Sequence, residues 1–213
     1  MLSKNREGRI TGSAVGALLG VNKHCSRQKA FRQIIGTETF EGNEATEWGN
    51  DHEEDALNGF ENTCGEFCEE TLDDQEFYVH TKYNYLGCTP DGFTLRRACT
   101  QDFKNENRNL VEFKCPFYRV VPDEVPPHYY AQVQFNMEVT GCTEAFLTYW
   151  TPEHIRVFQI NYDPDYVTVM LEYLKEIYTK YIETKTEPPR FSKSSPKPTL
   201  PEIKWEIIHD RRI

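Results

Sequence analysis

The order of apolar patterns along the chain predicts an α/β (α+β) domain in which helices flank a central mixed β-sheet. Helical patterns fill the first third of the 213 residues, short segments rich in aromatic and β-branched residues follow, and an amphipathic helix comes later. The hydrophobic content of 38% exceeds that of disordered chains, and no apolar run approaches the roughly 18 residues of a membrane span. We therefore expect one folded domain over residues 1–185 and no membrane partner.

Three helices are predicted in the N-terminal third of the chain. The first covers residues 11–20 and ends at a glycine, and the second begins at Ser26, a residue type that caps helices, and stops at Gly36. The third begins at Asn43 and carries its apolar side chains on one face, namely Trp48, Ala56, Leu57 and Phe60. Acidic residues cover its other surface, which indicates a solvated face.

Strands and two further helices are predicted in the rest of the chain. Aromatic and β-branched residues predict four consecutive strands, at 76–81, 84–89, 92–96 and 110–115. A helix that opens with prolines is predicted at 126–139, and a short turn joins strands at 144–150 and 154–161. Apolar side chains at helical spacing predict the last helix at 163–184.

Residues 186–213 form a tail that is rich in proline and serine, a composition typical of extended segments. The end of this tail contains a cluster of apolar side chains, Ile203, Trp205, Ile207 and Ile208. Burial of apolar surface is favourable, so we expect the tail to be partly docked against the domain.

The charge of the chain is unevenly distributed. The formal net charge is −10, yet residues 1–36 hold seven Lys or Arg against one Glu, and residues 37–76 hold fifteen acidic residues and no Lys or Arg. The basic segment suits phosphate groups, and the acidic block suits a solvated surface or carboxylates that face a polyanion through metal ions. A nucleic-acid partner is therefore compatible with the negative total.

The seven cysteines indicate reduced thiols. Their number is odd and no apolar secretory segment opens the sequence, so we expect an intracellular protein, cytoplasmic or nuclear, without a disulfide framework. The alternative is a zinc site, for which the candidate ligands are Cys64, Cys68, Cys88 and Cys99. Their spacing lacks the CxxC pairs of common zinc sites, which favours buried or unreactive thiols.

Glu112 and Lys114 carry the first indication of chemistry. Alternation along a strand puts both side chains on one face, and Asp91 falls at a turn or strand end from which it can reach them. Phosphodiester hydrolysis needs cations and a positioned water, and carboxylate oxygens are the ligands that suit Mg²⁺. The same pattern also occurs on ordinary solvated strands, so taken alone it does not separate the two interpretations.

Five segments in order resemble the phage lambda exonuclease group, also described as YqaJ-like viral recombinases, within the PD-(D/E)XK nucleases. They are Arg6 with Ser13, then 48–56 (WGNDHEEDA), 89–92 (TPDG), 112–117 (EFKCPF) and 129–140 (YYAQVQFNMEVT). The resemblance spans roughly residues 5–162. It implies a restriction-endonuclease-like PD-(D/E)XK core and a gene of viral or phage origin.

The resemblance also implies roles for individual residues. Two Mg²⁺ ions, for which Mn²⁺ would substitute, would be held by Asp91, Glu112, Glu53 and the backbone carbonyl of Phe113. Lys114 would act on the attacking water, and Gln132 and Tyr129 would orient the water or Lys114. Glu53 is favoured over its neighbour Glu54, and Gln132 over Gln134, by the register of the matching segments.

The activity implied is a magnesium-dependent exonuclease that degrades double-stranded DNA from 5′ to 3′ and leaves 3′ single-stranded overhangs for recombination. Arg6, Ser13 and Thr89 would contact the 5′-phosphate, and the implied partners are DNA ends, a homotrimer and a single-strand annealing protein. The alternatives are an endonuclease or nickase on the same fold, and a DNA-end-binding protein without turnover. Twenty residues separate Asp91 from Glu112 and include four basic ones, Arg96, Arg97, Lys104 and Arg108, in a connection that is longer than the family pattern.

Overall fold

The structure, a computed structural model, describes residues 6–64, 68–72, 76–96 and 108–213. These residues form a six-stranded mixed sheet, a smaller three-stranded sheet and helices that pack on both. In the part of the chain described, no helix combines the length and hydropathy needed to cross a membrane.

The N-terminal helices begin where the sequence places caps. Strand β1 (Ile10–Thr11) leads into α1 (Gly12–Leu18), and α2 (Arg27–Ile34) follows. The Ser26 hydroxyl accepts a hydrogen bond from the Lys29 amide at 3.2 Å, and the Asn43 side chain accepts one from the Thr46 amide at 3.0 Å. Both predicted caps are thus present in the structure.

The prediction of one continuous helix after Asn43 is wrong. The chain forms two helices, α3 (Glu44–Asp51) and α4 (Glu53–Cys64), with a break at His52, whose φ of −115° is not helical. The His52 ring stacks on Trp48 with 3.7 Å between centroids, and its Nδ1 donates to the Trp48 carbonyl oxygen at 2.9 Å. This side-chain bond takes up a carbonyl that a continuous helix would use.

The strands predicted near residues 76–89 exist but belong to the smaller sheet. Strand β3 (Tyr78–Val79) and strand β4 (Leu86–Cys88) are antiparallel, and β1 pairs with β4 in parallel. Their prediction as members of the central sheet is therefore wrong. The buried Leu86 side chain packs in the main core, so this small sheet covers one side of the domain.

The central sheet is mixed, with the strand order β2–β5–β6–β7–β8–β9. Only the β6–β7 pair is parallel among its strands, and the other pairs are antiparallel. The strands are β2 (Cys68–Leu72), β5 (Gly92–Arg96), β6 (Arg108–Lys114), β7 (Glu144–Thr151), β8 (His154–Asn161) and β9 (Glu206–Arg212). Strand β2 is not predicted from the sequence, and for the residues of β9 the apolar cluster predicts docking but no strand.

Two helices cover one face of the sheet, and α4 packs on the other. Helix α5 (Pro127–Thr140) ends at Gly141, which adopts φ +75°, and α6 (Pro164–Ile177) continues into a π-helical turn (Tyr178–Ile182) instead of remaining α-helical to residue 184. Alternation along β6 divides its side chains between two apolar clusters. Val111 and Phe113 pack with Phe60 of α4, whereas Leu110 packs in the larger cluster that contains α5.

Residues after 185 contact both the helices and the sheet. The Arg27 guanidinium donates to the Tyr173 hydroxyl and the Ser195 hydroxyl, each at 2.9 Å, and also to the Pro189 carbonyl. The Trp205 ring packs edge-on against Phe158, and β9 pairs with β8 along the sheet edge.

Asp210 connects β9 to β8 through the Arg156 guanidinium, which lies 2.8 Å from its Oδ2. This bond lowers the pKa of Asp210 from 3.8 to about 2, so its stabilisation is complete above pH 3.8 and is lost as the pH falls towards 2. Because the carboxylate is partly exposed, we expect Asp210→Asn to cost about 1 kcal/mol at pH 7, or about 2–4 °C in melting temperature.

Thermal unfolding of wild type and variant between pH 7 and pH 3 measures this contribution. Asp123→Asn is the matched control, since Asp123 contacts the same guanidinium at 2.9 Å but its side chain is 94% exposed. Equal losses in the two variants, or a loss for Asp210→Asn that grows at low pH, would contradict the assignment.

Candidate active site

Strand β6 presents Glu112 and Lys114 on the face covered by α5. The two residues are separated by one position, so their side chains leave the strand in the same direction. The Lys114 Nζ atom donates to the Glu112 Oε1 atom at 2.6 Å. Strand β6 is flanked by β5 and β7, so this ion pair lies at the centre of the sheet.

Asp91 reaches β6 from the turn that precedes β5. Its Oδ2 atom accepts a hydrogen bond from the Phe113 amide at 2.7 Å. The pairing of Gly92 with Val111 holds the turn beside this part of β6. Asp91, Glu112 and Lys114 are thus brought together, as alternation and the turn-forming TPDG segment predict.

Glu112 is buried, with only 1% of its surface exposed, and donors surround its carboxylate. Lys114 and Gln132 both donate to Oε1, and Asn136 donates to Oε2 at 3.1 Å. Gln132 and Asn136 lie one turn apart on α5, so both amides face β6. Gln134 points elsewhere and bonds the Asn161 carbonyl and the Asp163 amide, so of the two glutamines Gln132 is the one that contacts Glu112.

The electrostatics of this cluster follow from burial and from close charges. Burial raises the pKa of Glu112 to about 7, and the Asp91 charge adds to this effect while Lys114 opposes it. Burial alone would lower the pKa of Lys114, but the charges of Glu112 and Asp91 outweigh it and raise the pKa above its usual value. The charges of Glu112 and Asp91 thus favour the ammonium form of Lys114, which can orient a water or stabilise negative charge.

A cleft of about 550 Å³ opens beside these residues. Glu53, Asp91, Lys114 and Tyr129 line it, and the Tyr129 ring centroid lies 5.0 Å from the Lys114 Nζ atom. Glu53 is half-buried at the cleft, whereas Glu54 is exposed, so the structure separates the two neighbours. Within the described ranges, no three His, Cys, Asp or Glu side chains are close enough to form a preassembled metal site.

The predicted phosphate-binding residues are partly brought together. The Arg6 Nη2 atom donates to the Thr89 Oγ1 atom at 2.6 Å, and Thr89 lies two residues before Asp91 in the same turn. Ser13 is exposed, and its hydroxyl lies 3.4 Å from that of Thr11. The structure shows a contact between Arg6 and Thr89, and Ser13 contacts a different residue.

Some of the basic residues between Asp91 and Glu112, and one candidate zinc ligand, lie outside the residues that the structure describes. Arg97, Lys104 and the zinc candidate Cys99 lie outside the described residues. Arg108 is described, and its guanidinium lies 3.9 Å from the centroid of the Phe93 ring. Cys88 is buried in the main core, in agreement with the interpretation of the cysteines as buried thiols for this residue.

The family pattern gives no role to the histidine pair at the cleft, and the sequence does not single out Asn136. His24 and His128 both line the cleft, with their ring centroids 6.1 Å apart. Burial, with the charges of His24 and Lys114, lowers the pKa of His128 to about 4, so its imidazole is neutral at physiological pH. The four-residue spacing from Gln132 was the available signal for Asn136.

Comparisons with known proteins give a family and a fold. Residues 3–143 match the model of the YqaJ-like viral recombinase domain. The alkaline exonuclease LHK-Exo from Laribacter hongkongensis is similar in structure, with a TM-score of 0.66 and 22% identity over 84% of this chain and 90% of that one. A second structure of LHK-Exo, in complex with dAMP, gives a TM-score of 0.64 and 19% identity over the same shares.

A phage-related exonuclease from Haemophilus somnus 129PT is also similar, with a TM-score of 0.59 and 16% identity over 83% of this chain and 94% of that one. Comparison with curated proteins gives no match. At these identities the structural likeness concerns the fold, and it confirms the predicted mixed sheet flanked by helices.

Proposed function

The chain belongs to the YqaJ-like viral recombinase domain family, and from this premise we propose that it is a magnesium-dependent exonuclease that degrades double-stranded DNA from 5′ to 3′. The product would be duplex DNA with 3′ single-stranded overhangs, the substrate of recombination. The observation that carries the proposal is the buried Glu112 carboxylate, which is bonded to Lys114 and lies near Asp91 beside an open cleft.

The chemistry of the donor set fits a hard divalent cation. The candidate ligands offer only oxygen: the carboxylates of Asp91, Glu112 and Glu53 and the backbone carbonyl of Phe113. Asp91 raises the pKa of Glu112, which means that the two carboxylates repel each other and that added positive charge would be favourable. We propose that these four groups hold two Mg²⁺ ions, for which Mn²⁺ substitutes, and that the bound ions offset charge developing on the phosphate.

The remaining residues of the site have roles that follow from their contacts. Lys114 is held between Glu112 and the face of the Tyr129 ring, so its ammonium points in one direction and can orient the attacking water. Gln132 holds the same Glu112 oxygen from α5. Tyr129 and Gln132 therefore serve to fix Lys114 and Glu112 in place.

The 5′ polarity requires recognition of a strand end by groups outside the hydrolytic cluster. A terminal phosphate carries more negative charge than an internal diester, and an arginine beside a hydroxyl suits it. Arg6 is exposed and bonded to Thr89, and Thr89 lies two residues before Asp91. We propose that Arg6 and Thr89, with Ser13, receive the 5′-phosphate. A homotrimer and a single-strand annealing protein are proposed as further partners on the strength of family membership.

The direct test is incubation of the purified protein with linear and covalently closed circular duplex DNA, with and without Mg²⁺. We expect degradation of the linear DNA alone and only with the metal. Cleavage of closed circles would show that the activity is that of an endonuclease or nickase and not of an exonuclease. If the protein binds DNA ends but does not cleave DNA in Mg²⁺ or Mn²⁺, it is an end-binding protein without nuclease activity, and the proposal is wrong.

Replacement of Arg6 by alanine is expected to slow digestion of 5′-phosphorylated ends at least about tenfold more than digestion of 5′-hydroxyl ends, because a lost charge-assisted bond is worth about 1.5–3 kcal/mol. Initial rates on two otherwise identical duplexes, at one fixed salt concentration, measure this difference. Arg9→Ala is the control, since Arg9 is a nearby arginine that donates to the Asn84 carbonyl instead of Thr89. An equal slowing of both substrates by Arg6→Ala would reduce Arg6 to a general phosphate contact.

A further inference from the structure

Asn136 lies at the centre of the site without a role in the proposed reaction. It is 1% exposed, and its Nδ2 atom donates to the Glu112 Oε2 atom at 3.1 Å. Lys114 and Gln132 both bond the other carboxylate oxygen, Oε1. Among the described residues, Asn136 is thus the side chain that the structure shows bonded to Oε2.

Burial of the Asn136 side-chain amide costs free energy, and its bond to Glu112 is the contact that offsets this cost. Its Oδ1 atom is buried and has no hydrogen-bond partner in the part of the chain described. An unsatisfied buried carbonyl costs about 1–3 kcal/mol, and a leucine of similar size would fill the same space in an apolar helix face without that cost. Packing therefore does not explain the choice of asparagine, whereas the bond to Glu112 does.

Gly12 provides the space that this amide occupies. A Cβ atom at Gly12 would lie 2.2 Å from the Asn136 Oδ1 atom, far inside the contact distance of a carbon and an oxygen atom. The backbone of Gly12 is in the first turn of α1 and has no positive φ, so the space beside the Asn136 side chain, and not backbone conformation, favours glycine here. The close approach of α1 to α5 at this point thus leaves room for the Asn136 amide.

We propose that Asn136 is a positioning residue that fixes the orientation of the Glu112 carboxylate. With Oε2 held by Asn136, rotation of the carboxylate is prevented and Oε1 stays on Lys114 and Gln132. The inference rests on the proposed function, because it assigns Glu112 to the metal-dependent site. Outer-sphere partners of this kind typically contribute about 10–100-fold to metal affinity or activity.

The test compares Asn136→Leu with Gln134→Met. Both variants replace a buried amide on α5 by an apolar side chain of similar size. Gln134 bonds the Asn161 carbonyl and the Asp163 amide, away from Glu112, at 2.8 and 2.9 Å. The measurements are kcat and KM on linear duplex DNA, Mn²⁺ affinity by calorimetry without DNA, and melting temperature.

For Asn136→Leu we expect kcat and Mn²⁺ affinity to fall about 10–100-fold, with a melting temperature that falls less than that of Gln134→Met. Gln134→Met loses two satisfied hydrogen bonds, so we expect lower stability with unchanged kcat and Mn²⁺ affinity. Asn136→Ser, which removes the contact without adding bulk, is expected to repeat the loss if the leucine variant does not fold.

Wild-type kcat and Mn²⁺ affinity in a folded Asn136 variant would overturn the inference and leave the proposed function standing. A loss of stability larger than that of Gln134→Met, without a change in kcat or Mn²⁺ affinity, would make Asn136 a structural residue. If the wild-type protein binds Mn²⁺ but does not cleave DNA, the proposed function fails and the Mn²⁺ affinities still decide the inference. A wild-type protein that neither cleaves DNA nor binds Mn²⁺ overturns both.

Discussion

Replacement of Glu112 or Asp91 by alanine is expected to reduce DNA cleavage at least about a thousandfold, because each variant removes a proposed ligand worth several kcal/mol of transition-state stabilisation. The fold is expected to survive both changes. Removing Asp91 ends its repulsion with the buried Glu112 carboxylate, whereas removing Glu112 leaves Lys114 and Asn136 without their acceptor, so we expect the lower melting temperature for Glu112→Ala. Rates on 5′-phosphorylated linear duplex in Mg²⁺, with circular dichroism of each variant, measure the outcome.

Glu53 and Glu54 supply a matched pair for the same experiment. The two residues are adjacent on α4, but Glu53 lines the cleft and Glu54 is exposed. We expect Glu53→Ala to lose most of the activity and Glu54→Ala to keep it. Near wild-type turnover in a folded Glu112→Ala or Asp91→Ala variant would show that the metal-binding assignment is wrong.

Lys114→Ala is expected to lower kcat at least about a hundredfold while DNA binding persists, the scale expected for a positioned charge-stabilising group. The ammonium of Lys114 contacts Glu112 and the Tyr129 ring, so both its charge and its position are lost in this variant. Lys114→Met, which keeps the length of the side chain but not its charge, is expected to lose as much activity as alanine.

Single-turnover rates with bound DNA separate kcat from affinity in this variant. Lys82→Ala is a control, because Lys82 is an exposed lysine outside the cleft. A Lys114 variant that turns over normally once DNA is bound, but binds DNA weakly, would make Lys114 an ordinary phosphate contact.

The sequence was most informative where a short-range rule determines geometry. Alternation on β6 was enough to place Glu112 and Lys114 together, and the order of elements was enough to predict a mixed sheet between helices. Capping rules located Ser26 and Asn43 at helix starts. Alternation and capping depend on residues only a few positions apart, so both can be predicted from a single sequence.

Other features depend on contacts between distant residues and could not be predicted in this way. Strands β3 and β4 pair with only a few residues each, and their assignment to a separate sheet is decided by β1. The spacing from Gln132 places Asn136 on the same face of α5, but its bond to Glu112 depends on the packing of α5 against β6. At the break between α3 and α4, the His52 ring also stacks on Trp150, which is distant in sequence.

The pairing of β9 with β8 has a consequence for the way the chain folds during synthesis. The ribosome makes β8 before α6 and the segment that leads to β9, so at about 5–20 residues per second the outer edge of β8 stays unpaired for seconds. An open strand edge is a template for pairing with another chain. Strand β9 covers the largely buried strand β8 and becomes the edge strand itself, and its exposed charged residues discourage further pairing. A chain that stops before Glu206 would therefore expose β8 and tend to aggregate.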